Sequence, residues 1–382
     1  MNKKKVPGSK ISALISLYLI GSSLVLGSDN RAKQDSWIAL ILSTGLSLLL
    51  VWLYSSILRL YPGKNLFDIS IEIFGKVLGK ILCGVYVIYA VYLGALVFRI
   101  FDEFIQLVNL PNTPQIAIML FSAPLIIWQV KSGLKNLASV SKFLLPILYL
   151  FVVVTFLLGT KFMSLDNLKP FFDSGPKAIS ESAFGSLMLP YGETVLCMSF
   201  FGEVEKKESP FKILTKGVLI AAAILILANI RNLLILGPDT TGMYIFSSYD
   251  AVGVISVGDF ITRISVLIGI NLVLAGVVKI GAALYAATVG VSKILEIDHF
   301  LLPAAACGLL MSSISTILYG NLLEGIQWIK YFEIFDIPFQ IILPLIILIT
   351  GKIKLQLSKK RPKIAKAKAA GPNEAAPSAS HS

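Results

Sequence analysis

The segment Pro190-Tyr191-Gly192-Glu193 interrupts an apolar run that extends from Ser180 to Phe201. A helix needs about 20 apolar residues to cross the hydrocarbon core of a bilayer, and this run has that length. Proline and glycine weaken a helix, and a carboxylate beside them is costly at membrane depth. Lipid cannot satisfy the backbone groups that such a break frees, whereas a bound polar ligand can. We therefore predict a broken membrane helix that binds a ligand.

A second interruption occupies the corresponding place near the N-terminus, where Gly21-Ser22-Ser23 lies inside the apolar run Ile11–Ser28. Taken alone, small residues in a membrane helix more often mark close packing than binding. However, the two breaks fall in the first apolar run of each half of the chain, which is typical of transporters built from inverted repeats with a site at mid-membrane. The ligand-binding residues predicted from the two breaks are Gly21, Ser22, Ser23, Tyr191, Gly192 and Glu193.

Ten apolar runs, here called spans 1 to 10, alternate with charged segments. Hydrophobic residues make up 55% of the chain and charged residues 15%, whereas about 25% are charged in a typical soluble domain. The mean hydropathy is +0.79. The spans are Ile11–Ser28, Ser36–Leu58, Lys80–Phe101, Thr113–Val130, Phe143–Thr160, Ser180–Phe201, Ile213–Leu236, Phe260–Val291, Phe300–Leu318 and Ile337–Thr350. We predict an all-α polytopic membrane protein with a LeuT-like 5+5 inverted repeat in which spans 1 and 6 are broken.

The spans also set the predicted domain limits. Residues 1–10 form an N-terminal tail, residues 11–160 and 161–351 form the two five-span repeats, and residues 352–382 form a basic, disordered tail. The N-terminal lysines followed by an apolar run imitate a secretory signal peptide. Because many spans follow and no convincing cleavage site is present, we interpret span 1 as a retained helix.

Lysine and arginine are distributed unequally between the two predicted sides. With a cytoplasmic N-terminus, 24 of the 34 lie on the cytoplasmic side, nine lie on the outer side, and Lys279 lies within span 8. The positive-inside rule therefore predicts that both termini are cytoplasmic. This topology accounts for much of the net charge of +12, so the charge indicates contact with lipid and not with nucleic acid.

Two charged residues at membrane depth are candidates for ion coupling. Lys279 lies near the centre of span 8 among small residues, including Ala282, that let another helix approach. In a LeuT-like arrangement span 8 faces broken span 1, so the Lys279 ammonium would stand where sodium-coupled relatives hold a sodium ion. Alternatively, it is a structural lysine bound by carbonyls. Glu193 could bind an amine or carry a proton, or it could pair with Lys279 and only hold the bundle together.

Three tyrosines recur at helical spacing in span 3, at positions 86, 89 and 92. They could line the site or form a packed aromatic stripe. The predicted ligand-binding set therefore also includes Tyr89, and it includes Ala282 from span 8. The predicted ion-coupling residues are Lys279 and Glu193.

Other site classes are nearly excluded by the residue inventory. The three cysteines, Cys83, Cys197 and Cys307, are isolated, and the histidines are His299 and His381. Neither a disulfide framework, a zinc site nor a Ser-His-Asp triad is indicated. We predict no enzymatic activity, no metal and no cofactor.

Several short motifs, weak individually, occur together in an order and spacing that are fairly specific. They are Lys33–Ile38, Tyr61–Leu66, Gly75–Lys80, Leu110–Pro114, Asn167–Pro170, Pro190–Glu193 and Gly258–Arg263. Over roughly residues 10–352 the chain resembles the B subunits of bacterial spore germinant receptors. This is the endospore germination permease family of the amino acid/polyamine/organocation superfamily.

The resemblance implies a permease-like protein of the spore inner membrane that assembles with an A subunit and a lipoprotein C subunit. It also implies recognition of a small nutrient germinant such as an amino acid. Binding would then shift a conformational equilibrium, which requires unequal affinity for the two states. The alternative is a stand-alone, proton-coupled amino acid transporter, because a shared fold does not decide function.

Overall fold

The computed structural model describes residues 5–27, 29–108, 110–205, 207–255, 265–297 and 301–369. Its regular structure in these ranges is helical, apart from one isolated bridge between Val6 and Val204. The α-helices are α1 (Gly8–Ile20), α2 (Ser23–Leu26), α3 (Ser36–Leu60), α4 (Leu66–Val108), α5 (Gln115–Lys131), α6 (Leu134–Gly159), α7 (Gly175–Met188), α8 (Pro210–Leu236), α9 (Pro238–Met243), α10 (Ser247–Gly253), α11 (Ser265–Leu295), α12 (Leu301–Ile317), α13 (Leu322–Ile337) and α14 (Leu343–Ala369). The 3₁₀-helices are Lys33–Asp35, Thr160–Phe162, Leu165–Leu168 and Tyr191–Gly202, and a π-helical turn covers Pro338–Ile342.

The helices account for the ten predicted spans. Six helical stretches are long and apolar enough to cross a membrane, and they belong to spans 2, 3, 5, 7, 8 and 10. Three shorter apolar helices belong to spans 1, 4 and 9. Span 6 consists of α7 followed by the 3₁₀-helix Tyr191–Gly202. The prediction of an all-α membrane protein is therefore confirmed.

Several helices extend beyond the apolar runs that predicted them. Helix α4 begins at Leu66, well before the predicted start of span 3, and bends at Gly75, where φ is +80°. Helix α6 begins at Leu134, before the predicted start at Phe143. Polar residues are tolerated in these extensions because they lie beside the spans and not at their centres. The described part of span 8 begins at Ser265, so Phe260 and the motif Gly258–Arg263 lie outside the described residues, as does His299.

The predicted limit between span 10 and the tail does not coincide with a helix end. Helix α14 continues to Ala369, whereas the sequence analysis placed a disordered tail from residue 352. The Lys354 Nζ donates hydrogen bonds to the carbonyls of Glu72 (2.6 Å) and Ile73 (3.2 Å) in α4. A helix that is already nucleated in the membrane adds further turns at low cost, and this contact holds the first added turn.

The packing of the spans has the pairing of an inverted repeat, in which span 1 corresponds to span 6, span 2 to span 7, and so on. Span 1 packs on span 7, and correspondingly span 6 packs on span 2. Span 3 packs on span 9, and span 8 packs on span 4. Spans 3 and 8, which correspond to each other, pack together along much of their length. This arrangement brings the breaks in spans 1 and 6 to the centre of the bundle, beside span 8.

Candidate functional site

The break in span 1 lies at Gly21, where α1 ends. Gly21 has φ 11° and ψ −109°, and the chain resumes as the short helix α2 two residues later. A Cβ atom on Gly21 would collide with the Lys279 side chain, so only glycine allows span 8 to approach this closely. The predicted proximity of Lys279 to the break in span 1 is therefore present in the fold.

The break in span 6 lies between Met188, the end of α7, and Tyr191, the start of the 3₁₀-helix. Pro190 cannot donate a backbone hydrogen bond, so the α-helical ladder stops there. A Cβ atom on Gly192 would collide with Oε1 of Gln340 in span 10. The break thus exposes backbone and places the next side chain, Glu193, in the interior of the bundle.

Glu193 and Lys279 form an ion pair in the centre of the bundle. The Lys279 Nζ lies 2.7 Å from the Glu193 Oε2, and both side chains are essentially inaccessible to solvent. The ammonium also lies 5.6 Å from the ring centroid of Tyr18 in span 1, within the range of a cation–π contact. Nζ and both carboxylate oxygens lack a hydrogen bond of regular geometry to the described residues, so charge attraction and not a directed hydrogen bond defines this contact.

A polar network from span 10 adjoins this pair. The Nε2 of Gln340, in the π-helical turn, donates to the Tyr89 hydroxyl (2.8 Å) and to the Met188 carbonyl (3.0 Å), and lies 3.3 Å from Asp336 Oδ2. The Tyr54 hydroxyl donates to the Gln340 carbonyl at 2.8 Å. Asp336 is buried, with 1% of its surface exposed. Single π-turns are frequent at functional sites because they re-aim side chains into the interior.

The structure brings some of the predicted residues together and separates others. Ser22 and Glu193 line one small cavity, whereas Ser23 is partly buried in the first turn of α2. The Tyr191 hydroxyl points to span 2, where it lies 2.9 Å from the Thr44 Oγ1 and away from the ion pair. Ala282 is buried in α11, three residues beyond Lys279, and has no polar group to contribute.

The tyrosines of span 3 pack against span 10. Tyr86 donates to the Phe339 carbonyl at 3.2 Å, and the Tyr89 ring stacks on the Phe339 ring with centroids 4.5 Å apart. Tyr92 contacts Phe332 and Phe335 edge to face. The stripe is therefore an aromatic packing surface, and Tyr89 is the member that also reaches the polar network.

Four residues of this region were not predicted from the sequence: Asp336, Gln340, Tyr54 and Tyr18. The apolar run of span 10 begins at Ile337 and could be extended over Tyr331–Asp336, but neither Asp336 nor Gln340 was singled out as a site residue. One available signal was Pro338 between two polar residues, Asp336 and Gln340, at the start of an apolar run. Such a pattern resembles the interruptions in spans 1 and 6, although it lacks a glycine.

The cavity beside Glu193 is small in this conformation. It has a volume of about 30 Å³ and lies between spans 1, 3 and 6 and helix α13, with Tyr319 and Phe332 among its lining residues. Drug-sized ligands generally occupy pockets of about 300–1,000 Å³, so this space holds no more than about one water molecule. A nutrient-sized ligand therefore needs a different arrangement of the spans.

Both ends of the bundle are held by polar contacts around this site. At the end that carries the N-terminus, Val6 bridges to Val204 and the Gly8 N–H donates to the Glu208 carboxylate at 2.6 Å. At the opposite end, Arg31 contacts Asp29 and lies 2.5 Å from Glu333 in span 10. The hydrogen bond to Asp29 raises the pKa of Arg31, which keeps the guanidinium charged.

Several charged residues near the ends of the spans form ion pairs or are buried. Arg99 pairs with Glu103 at 2.8 Å. Arg231 is completely buried and donates to the Asn232 Oδ1 and to the Thr155 Oγ1. Both oxygens of Asp102 lack a donor among the described residues. Arg99 and Glu103 also contact Tyr319, which lines the cavity beside Glu193.

The central arrangement can bind a small polar ligand and respond to its charge. Two breaks supply backbone groups, and one carboxylate–ammonium pair supplies charges of both signs in a medium of low dielectric constant. A ligand that competes with either partner changes the energy of the pair strongly, because charge interactions are weakly screened there.

Comparisons with known proteins agree with this reading of the fold. A structure of Mhp1, a nucleobase-cation-symport-1 family transporter in a closed conformation with bromovinylhydantoin bound, matches with a TM-score of 0.61 and 13% sequence identity. The match covers 86% of this chain and 75% of that chain. Mhp1 has the LeuT-like fold, so the predicted LeuT-like architecture is confirmed.

Sequence comparison gives the family. Spore germination protein KB of Bacillus subtilis (strain 168) is 27% identical over 367 residues, which cover 94% of this chain and 98% of that protein. The putative spore germination protein YfkT of the same organism is 25% identical over 68% of this chain and 71% of its own length. The family model described as Spore germination protein matches residues 5–321. The chain is therefore a member of the spore germination protein (permease) family.

Proposed function

We propose that this chain is the ligand-binding membrane subunit of a spore germinant receptor. The observation that carries the proposal is the buried Glu193–Lys279 pair, which lies against the breaks of both span 1 and span 6. Membership of the family and the transporter-like fold support a germinant-receptor or permease-like role in a membrane. The ligand is a small, amino acid-like nutrient, and the chain acts without enzymatic chemistry.

The proposed ligand site retains the residues predicted from the sequence. They are Gly21, Ser22, Ser23, Tyr89, Tyr191, Gly192, Glu193 and Ala282, with Lys279 and Glu193 as the coupling pair. Because the cavity of about 30 Å³ is too small for a nutrient, the ligand binds a more open state and shifts the population toward it. Displacement of the ion pair by the ligand then supplies the difference in affinity that triggering requires.

The proposed partners and membrane follow from the resemblance, and the proposed topology follows from the distribution of lysine and arginine. The chain assembles with an A and a C subunit in the spore inner membrane, and both termini face the cytoplasm. This topology can be tested by cysteine labelling, because the three native cysteines are buried. A membrane-impermeant maleimide should label Lys177→Cys, whose side chain is 91% exposed, and should not label Lys135→Cys in intact cells. The opposite pattern would invert the topology.

The function is tested with bulky substitutions at the two breaks. Gly21→Leu and Gly192→Leu place side chains where Lys279 and Gln340 lie, so ligand response should be lost while the protein still accumulates in the membrane. Gly45→Leu is the matched control, since no heavy atom lies within 4 Å of a Cβ built at that exposed position in α3. Normal germinant sensitivity of both break variants would refute the proposed site.

The alternative function is that of a stand-alone proton-coupled amino acid transporter. The similarity to a transporter fold favours this alternative. Uptake of labelled amino acids into proteoliposomes that contain this chain alone would support the transporter. A ligand response that depends on co-expressed A and C subunits would support the receptor.

A further inference from the structure

Two adjacent phenylalanines are exposed on the connection between spans 5 and 6. Phe171 and Phe172 have 52% and 68% of their surface accessible. They lie at the end of the bundle opposite the N-terminus, where this connection packs on the start of span 2. Single exposed apolar residues are common on proteins, but neighbouring large rings indicate a contact surface when they also adjoin other exposed apolar side chains.

The backbone holds Phe172 in a fixed and unusual conformation. Its φ is +63°, in the left-handed region that residues other than glycine rarely adopt. The Phe172 N–H donates to the Asp35 Oδ1 at 2.8 Å, and the Ser174 N–H donates to the Asp35 Oδ2 at 3.1 Å. Asp35 itself is fully buried. A strained residue persists only where its surroundings determine its conformation, and such residues are concentrated at functional positions.

The pair continues the lipid-facing surface of span 2. The Phe171 ring contacts the Trp37 ring edge to face, with centroids 6.3 Å apart, and Trp37 lies in the first turn of α3. The next exposed apolar side chains of α3 are Ile41 and Leu42, which are 50% and 45% accessible. At a rise of 1.5 Å per residue, Trp37 lies about 6–8 Å from them along the helix axis. The polar layer on each side of a bilayer is about 5–8 Å thick, so the rings lie at the level where aromatic side chains are enriched.

The size of the exposed surface favours lipid over a protein partner. Two rings exposed to this extent offer roughly 250 Å² of apolar surface, since a whole aromatic side chain presents about 150–250 Å². Stable protein interfaces bury about 800 Å² on each partner, which is well above this area. The carboxylate next to the pair also has a partner within the protein, because the Gln34 Nε2 donates to the Asp173 Oδ2 at 3.4 Å.

We propose that the aromatic patch formed by Trp37, Phe171 and Phe172 docks into the interfacial layer of the lipid bilayer, and that Asp35 holds it in position. The rings enter the boundary between headgroups and acyl chains, as the apolar faces of interfacial segments do. Because α7 begins at Gly175, three residues after Phe172, the patch fixes the start of span 6 at the membrane surface. The inference concerns contact with lipid and does not rest on the proposed function.

The test measures the depth of a nitroxide spin label in the full chain, reconstituted alone in liposomes of phosphatidylcholine and phosphatidylglycerol. The label is attached at Phe172→Cys and, in a second sample, at Phe171→Cys, so that one position remains if the other substitution impairs folding. The native cysteines are buried, and the parent chain gives the background of labelling. Leu49→Cys, at a side chain of α3 that is 65% exposed, is the reference for lipid, and Lys177→Cys, at a side chain that is 91% exposed, is the reference for water.

Collisions of the label with two relaxing agents distinguish its possible surroundings. Molecular oxygen is apolar and concentrates in the bilayer, whereas a neutral polar nickel chelate stays in water. We expect the ratio of oxygen to chelate collisions at position 172 to be several-fold above that at position 177, and to lie between the values for positions 177 and 49. A ratio equal to that at position 177 would place the patch in water and overturn the proposal. Infrequent collisions with both agents would show that protein covers the patch, which would overturn it as well.

A second arm tests the positioning by Asp35. Asp35→Asn removes the charge that strengthens both hydrogen bonds, so the label at position 172 should become more mobile and collide more often with the chelate. Asp166→Asn, the same change at a side chain of this connection that is 87% exposed, should leave the label unchanged. An unchanged label in Asp35→Asn, in a chain that elutes from a sizing column like the parent, would refute the positioning role.

Discussion

Replacement of Lys279 by methionine tests whether the central ion pair holds the bundle and couples it to the ligand. The lysine stem packs on Gly21 through Cβ, Cγ and Cδ. Methionine retains a stem of similar length and shape, so the contact with span 1 is preserved while the ammonium is removed. The substitution therefore isolates the charge interaction with Glu193, whose Oε2 lies 2.7 Å from the Lys279 Nζ.

The expected magnitude follows from the burial of both partners. Removing one member of a buried pair leaves an uncompensated charge and typically costs about 3–5 kcal/mol. Removing both charges, in Lys279→Met/Glu193→Gln, is often neutral or stabilising. We therefore expect each single variant to lose about 3–5 kcal/mol of unfolding free energy, and the double variant to lie within about 1 kcal/mol of the parent.

Unfolding by SDS in mixed micelles, followed by tryptophan fluorescence, measures these free energies. Lys216→Met, at an exposed position of α8, is the control for the chemical change and should shift stability by less than about 0.5 kcal/mol. If Lys279→Met is as stable as the parent, or if the double variant is as unstable as the sum of the singles, the pair contributes no coupling energy and the reasoning is refuted.

The same variant reports on the ion-site hypothesis. If the Lys279 ammonium takes the place of a sodium ion, the parent's germinant response should be unchanged when potassium replaces external sodium. Lys279→Met should weaken or lock that response at a matched membrane level. A strict sodium requirement in the parent, or a normal response in the variant, would contradict the hypothesis.

Two further predictions concern residues outside the site. Gly75→Ala should destabilise the protein by about 1–3 kcal/mol because φ is +80° at this position. No heavy atom lies within 4 Å of a Cβ built there, so the cost is purely conformational. A Cβ atom at Gly84 also has no heavy atom within 4 Å, but Gly84 is helical, so Gly84→Ala should stabilise the protein by up to about 1 kcal/mol in the same SDS assay. Equal changes in unfolding free energy for the two variants would contradict this conformational explanation. The Lys76 and Lys80 ammonium groups, each 2.9 Å from the Glu296 carboxylate, lower the pKa of Glu296 to about 2. The ionised carboxylate therefore stabilises the folded protein at any pH above the unfolded-state pKa of about 4.3, and this stabilisation is lost as the pH falls toward 2. Glu296→Gln should therefore lower the unfolding midpoint by the same amount at pH 6 and at pH 8, and by less at high salt. If the difference between variant and parent were present at pH 8 and absent at pH 6, the ion pair would be contradicted.

Particular residues show how far the candidate site could be predicted. Lys279 and Glu193 were identified because charges at membrane depth are rare, and the fold places them together. Tyr191 was included because of its position beside the break, yet its hydroxyl turns to Thr44 in span 2. Asp336 was not selected because it lies at the edge of the apolar run of span 10, whereas the continuous helix and the adjoining π-helical turn place it in the interior.

The sequence by itself determined that the chain crosses a membrane as helices, where those helices are interrupted, and which two charges lie at depth. These features are local, since backbone hydrogen bonds in lipid must be formed within each helix. Pro190 and Gly21 interrupt those hydrogen bonds at their own positions in the chain. The tertiary structure decided which face of each helix points inward and hence which side chains meet. A helix that is apolar on all sides gives no pattern to reveal its inward face, so the meeting of Gln340 with Tyr89 and of Lys279 with Glu193 depends on packing between spans that are distant in sequence.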